Sequence, residues 1–514
     1  MDRSAATVVL ESPERRAGRR QGMRAIGAFA ASALGAWAGL SSTVEAAPAD
    51  VGLDVDPRSA LLKLVQRVSF GVTAEELSLA QQLGFQGYLE RHLDPQSIDD
   101  AATDALLAPL TTLTMTAPQL YAGNAADPDN FGNRVVDEQV RSVFIRAVFS
   151  KRQLLERMVE FWTDHLNVPL DDGDLRLLKP VDQRDVIRAN AMRMFPALLR
   201  ASAYSPAMLN YLNNDRSVAG AINENYAREI MELHALSPAG GYTHDDIVAL
   251  ARALTGWGWI GYDPSTPSTF PVGGTFFFDE TQHDTDPKTF LGVSMPAGRG
   301  IEDGEQALSI LSSRPACAKF IATKLARRFL SDAPPPGAVA AAATVFAQTG
   351  GDIRAVLRSL LTPANLYDAP ARVKRPFHYI VSALRLLATQ IGDWGDMLSA
   401  ADTMGNEPFG WHPPNGYPDS STYWSGLVLP RWNFAADLTS GLFTNVQTDF
   451  AALFGSATTA AALAGRINTA IFAGAMPPAQ LALLTSYLSA DPSSPDRRAE
   501  AIGLALSFPV FQTY

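Results

Sequence analysis

The residues best suited to chemistry gather in 223–246. Asn223, Glu224, Asn225, Arg228, Glu229, Glu232 and His234 fall within twelve positions, and Thr243-His244-Asp245-Asp246 follows after a Ser-Pro-Ala-Gly-Gly break. Carboxylates at this density can act as general bases or metal ligands, and an arginine among them can grip an anionic group. Glu229 and Glu232 are therefore candidate catalytic residues, with Arg228 as the anion holder and Asn223 and Asn225 as binding residues. A second set, His283-Asp284-Thr285-Asp286 with Lys288, lies in a stretch without helical periodicity. Charged loops carried on a rigid scaffold are frequent functional sites. His283 and Asp284 are read as ligand or acid, and Lys288 as a binding residue. A third stretch, 411–419, joins Trp411, His412, Tyr417 and Asp419 through three prolines and a glycine. It suits a pocket wall or a saccharide platform, with Trp411 and His412 in contact with ligand, and packs equally well as a plain loop.

Scattered His and carboxylate residues could accept a divalent metal such as zinc, manganese or iron, and His165, His283 and Glu229 form the candidate metal set. The spacing supports this weakly. Glu229-x-x-Glu232-x-His234 is not a Glu-x-x-His pair, and positions two apart on a helix point apart. His165 shares a stripe with Leu155, Met158 and Trp162, which also fits a buried histidine bonded to a carbonyl. The Glu224–Arg228–Glu232 ladder is equally a helix-stabilising ion-pair series.

These groups need helices to hold them. Tyr226, Ile230 and Leu233 recur at i, i+4 and i+7, so a helix is predicted over 223–234. Thr243 and Asp246 have capping-box spacing and open a second helix, so a tight hairpin would gather Glu229, Glu232, His234, His244 and Asp245. Almost every other periodic segment is helical: 58–68, a capped helix from Thr73 that stops at Gly84, two long helices over 135–167 broken near Ser150-Lys151, and 315–330. Ser205-Pro206 starts another. Two irregular stretches interrupt them, 258–304 and 404–424, and Thr275 to Phe278 is the one strand-like run. The expected fold is all-α: one large multi-helix domain over 47–514, with long irregular loops and at most a small β-hairpin.

Net charge is −11, although the first 46 residues hold six arginines against four acids, so the remainder is more acidic still. Such a body disfavours binding to nucleic acid or to anionic lipid. Cys317 is the only cysteine, which excludes an intrachain disulfide and a thiolate metal cluster. Arg15, Arg16, Arg19, Arg20 and Arg24 precede a short Ala/Gly-rich apolar run, and Val44-Glu45-Ala46 ends it like a cleavage site. Residues 1–46 are thus expected to be a signal peptide, with Arg19-Arg20 resembling a degenerate twin-arginine signal, and no stable membrane anchor follows. The protein is expected in the periplasm or outside the cell. Fingerprints for dinucleotides, for P-loop nucleotide binding, for a Gly-x-Ser-x-Gly nucleophile and for His-Glu-x-x-His are missing.

Several segments together resemble the bacterial domain-of-unknown-function family numbered 1800: Phe161-Trp162-Thr163-Asp164-His165, Ser205 to Leu209, Asn223 to Glu229, Gly241-Tyr242-Thr243, Ala251 to Trp257, His283-Asp284 with Lys288, and Arg431-Trp432-Asn433. The resemblance runs from about Pro57 to Gln512. It departs at Leu236-Ser237-Pro238, where the family tends to have Leu-Gly. It implies a largely helical, exported protein, often encoded beside a twin-arginine-exported protein that resembles sulfatases and phosphatases. Two functions are compatible with these readings. One is a cell-envelope enzyme, hydrolytic or metal-dependent, with a His/Glu/Asp/Arg site formed where the His283 loop meets the Asn223 helix. The other is a non-enzymatic binding or scaffold protein working with that phosphatase- or sulfatase-like partner.

Overall fold

The computed structural model describes residues 57–170, 173–261 and 273–514. The signal peptide expected over 1–46, and part of the irregular stretch after Gly258, lie outside the described residues.

Helices dominate, as their periodicity predicts. Two of the predicted caps form: Thr73 accepts from the Glu76 amide, and Thr243 and Asp246 make a full capping box. The helix from Thr73 breaks at Gly84 as expected, because glycine takes φ 68° and ψ 175° there, outside the helical region, and a second helical stretch continues from this kink to Leu93. The two long helices break where expected, into Phe131–Phe149 and Gln153–His165. The Asn223 segment is shorter as an α-helix, Asn225–Glu229, and continues as a π-helical turn over Ile230–Ala235. Ser237, the position where the sequence departs from Leu-Gly, has φ 72°, a left-handed conformation that glycine adopts more readily than serine. Strands are few and short: Trp257–Trp259 with Phe276–Phe278, Lys288–Phe290 with Val293–Met295, and Gln390–Ile391 with Val446–Gln447, each an antiparallel pair. The strand-like Phe run is thus real, and two further small pairs accompany it.

Two apolar cores form. Leu64, Trp162, Ile187, Met208, Tyr226, Leu250 and Leu325 belong to the first. Phe144, Phe377, Ile380, Leu384, Phe434, Ile467 and Leu506 belong to the second. The Gln153–His165 helix stands at their junction. Leu154, Met158, Phe161 and Trp162 bury one side of it in the first core. Glu156, Glu160 and Asp164 recur at i, i+4 and i+8, so they share a different face. The Pro376–Leu386 helix, whose apolar residues build the second core, begins directly after Arg375.

Candidate active site

The acidic stripe of the Gln153–His165 helix is met by arginines from distant parts of the chain. Arg188, at the end of a π-helical turn over Asp182–Arg188, grips Glu156 with both nitrogens, at 2.8 and 2.5 Å. π-Turns often accompany functional sites, because the extra residue re-aims side chains. Arg328 pairs closely with Glu160, which also lies 3.4 Å from Arg157. Arg375 pairs closely with Asp164 and reaches Asp419 at 3.4 Å. Asp419 is shared further with Arg372 at 3.1 Å and Arg328 at 3.7 Å. Arg157 also donates to the Tyr514 hydroxyl at 3.1 Å and to His378 Nδ1 at 3.1 Å. Buried charges persist only when paired in this way, since removal from water costs several kcal/mol per ion.

A cleft of about 560 Å³ opens along this stripe. Phe70, Val159, Phe377 and Phe409 supply apolar wall, and Glu160, Asp164, Arg375 and Tyr417 supply its polar end. Apolar lining with a few convergent polar groups is the usual make-up of a small-molecule site. Thr163 and Gln183, which hydrogen-bond each other at 3.0 Å, add neutral polarity to the same wall.

Of the three carboxyls lining this cleft, Glu156, Glu160 and Asp164, the last two are driven in opposite directions. Burial raises the Asp164 carboxyl above the ordinary range, and the nearby Glu160 charge adds to it, against the pull of Arg375. Glu160 is also buried, but Arg328, Arg157 and Arg375 outweigh burial and hold it below the ordinary range. Asp419 behaves like Glu160, kept low by Arg372, Arg375 and Arg328 despite burial. Two neighbouring carboxyls with displaced and opposite affinities for protons are the signature of an acid–base division of labour. Across the seam, burial would raise the Tyr514 phenol, but Arg157, Arg372, Arg328 and Arg67 bring it down to about 7.

Of the 411–419 stretch Tyr417 lines the cleft, whereas Trp411 and His412, the expected binding residues, are not among the residues lining it. Asn167 donates to the carbonyls of Trp411 and Pro413 at 2.7 and 2.9 Å, and Tyr211 donates to the His412 carbonyl. Gly416 has φ 68°, and a Cβ there would overlap the carbonyl oxygen of Asp164. Only glycine lets the loop lie this close to the helix end. Tyr417 and Asp419 are the residues of this stretch turned to the charged seam, whereas the Trp411 indole donates to Asn415 at 3.0 Å.

The other residues singled out in the sequence sort into two further groups. Arg228 pairs with Glu224 at 3.0 Å and Glu232 at 3.7 Å, so the predicted ladder forms on one helix face. These side chains are 30–40% exposed, and an exposed ladder of this kind contributes at most about 1 kcal/mol. Glu229 is half-buried, and burial followed by the Glu232 charge raises its carboxyl. The hairpin brings His244 within 3.7 Å of Glu224, while His234 turns into the core, where burial lowers it to about 3. The Asn223 side chain caps the Asn225 amide, and Asn225 donates to the Leu212 carbonyl.

The His283 loop closes on partners of its own. Asp284 receives two bonds from Arg252, at 2.7 and 3.0 Å. Lys288 bonds Asp303 at 2.8 Å, and His283 lies 3.6 Å from the same carboxylate with its Nδ1 on the Thr255 carbonyl. Asp284 and Lys288 are thus paired by Arg252 and Asp303 rather than by the Glu229 helix. The metal set is not assembled: among the described residues no three His, Cys, Asp or Glu are placed to hold a metal ion. His165 Nε2 contacts the His234 carbonyl at 2.9 Å, and burial holds its ring well below the ordinary range, which is the buried-histidine alternative.

Sequence reasoning noticed Asp164, Tyr417 and Asp419 but not Glu160, Arg328 or Arg375. The i, i+4, i+8 spacing of Glu156, Glu160 and Asp164 was the available signal. Fold and site together define a helical protein with a buried ionic seam at the junction of two cores. The chain belongs to the family described as "Protein of unknown function (DUF1800)", which matches residues 63–513. No curated protein and no solved structure matches the chain. Among the described residues no helix is long and apolar enough to cross a membrane.

Proposed function

We propose that the protein is an exported hydrolytic enzyme of the cell envelope, with its site in the cleft along Glu160 and Asp164. The observation that carries this reading is the pair of neighbouring carboxyls driven apart in one partly apolar cleft. In this scheme Asp164 donates its proton to the leaving group and takes one back from water. Glu160 stays ionised and balances positive charge as the bond breaks. The apolar wall holds the body of a small substrate with a cleavable C–O bond. A panel of p-nitrophenyl esters, glycosides, phosphates and sulfates tests it. Turnover of an ester or glycoside is expected, falling at least about 100-fold in Asp164→Asn with folding intact. Equal turnover by wild type and variant contradicts it, and the same assay on Glu229→Gln distinguishes this cleft from the Asn223 helix.

The scaffold reading draws on Tyr423 and Leu429, which stand 53% and 62% exposed beside the seam. It is preferred if no member of the panel is turned over and the purified protein instead captures the phosphatase- or sulfatase-like neighbour. Export rests on the arginine-led N-terminal segment. Arg19→Lys with Arg20→Lys is expected to retain the protein in the cytoplasm, as followed by cell fractionation. Unchanged periplasmic levels would point to the general secretory route.

A further inference from the structure

Tyr514 and His378 also line a second cavity that the proposed reaction does not use. Its walls are mostly apolar, with Leu62, Leu386, Ile471, Phe472 and Val510 among them. Lys374 lines it and is only 6% exposed. Both backbone groups of Lys374 are engaged, the amide with the Gln512 carbonyl at 2.8 Å and the carbonyl with Arg431 at 2.6 Å, which fixes the side chain's origin. Its ammonium sits 3.9 Å from the centre of the Phe511 ring. Among the described residues no carboxylate or carbonyl pairs with that ammonium. Arg431, His378 and Tyr514 are the titratable groups that face it.

Burying a lone amine in an apolar cavity is costly unless an anion joins it. We propose that this cavity binds a medium-chain aliphatic carboxylate, with the carboxylate on the Lys374 ammonium and the chain along Leu386, Ile471 and Val510. The cavity's apolar lining demands the chain, and the unpaired cation demands the anionic head. Burial, then repulsion from Arg431, lowers the Lys374 amine to about 7, so at pH 8 it is mostly neutral before binding. A carboxylate favours the charged form, and binding at pH 8 therefore draws in a proton. At pH 6 the amine is already charged, and the uptake vanishes.

The test is calorimetric titration of octanoate into the full-length chain at pH 8, in buffers of different ionisation enthalpy. One site is expected, with close to one proton taken up. Octanol, which has the chain without the carboxylate, is expected to bind at least tenfold more weakly. Lys374→Met should weaken octanoate at least tenfold, while Tyr514→Phe should retain the proton uptake and so assign it to Lys374. Octanol binding as tightly as octanoate, or octanoate binding without proton uptake, would overturn the proposal even if Lys374→Met fails to fold. Inactivity of Asp164→Asn or of the whole ester panel has no bearing on it.

Discussion

Arg375→Ala is expected to destabilise the protein by about 1–3 kcal/mol, the cost of leaving the Asp164 carboxyl without its hydrogen-bond donor and Asp419 with one cation fewer. Arg375 touches both Asp164 and Asp419, so its removal takes a donor from the cleft carboxyl and leaves Asp419 with Arg372 and Arg328 alone. The exposures of the two acids, 17% and 23%, leave little water to compensate. Arg375→Lys keeps the charge but cannot fork between two acids, and should recover only part of the loss. Denaturant unfolding reads each difference. A loss below about 1 kcal/mol would mean the seam is hydrated and energetically minor.

Gly416→Ala is the second large effect. The left-handed backbone alone costs about 1–2 kcal/mol with a Cβ, and here the Cβ also runs into the Asp164 carbonyl. The 411–419 stretch would have to lift from the helix end, taking Tyr417 and Asp419 away from Arg375. A loss of at least about 2 kcal/mol is expected, together with faster proteolysis in this loop. Gly426→Ala is the control: nothing lies within 4 Å of a Cβ there, so a change within about 0.5 kcal/mol is expected. Equal behaviour of the two variants would show that the loop is not docked through Gly416.

These two residues also mark what the sequence could and could not tell. Helices were legible wherever apolar residues kept a 3.6-residue period, as in Gln153–His165, and capping residues such as Thr243 fixed where they begin. The break at Gly84 was legible as well, whereas the π-turns at Asp182 and Ile230 were not, because they leave the apolar pattern unchanged. Local density of charge drew attention to Arg228 and to His283, and both groups proved to be paired close by, the first along a helix face and the second with Arg252 and Asp303 of flanking helices. The seam is built the other way. Glu160 and Asp164 come from one helix, yet Arg328, Arg375 and Asp419 arrive from more than 160 residues away. Spacing along the chain carries no information about such meetings. The periodic acidic stripe showed that one face of the helix needed cations, but not which ones.

The account turns on the proton held by Asp164, and that proton can be followed directly. Protein labelled with ¹³C at the aspartate carboxyl carbons is titrated by NMR, and the resonance missing in Asp164→Asn identifies Asp164. Its midpoint is expected above 3.8, because burial and the Glu160 charge together outweigh Arg375. A midpoint at or below 3.8 would mean that Arg375 dominates, that Asp164 is an ordinary ion-paired carboxylate, and that the cleft has no acid to offer.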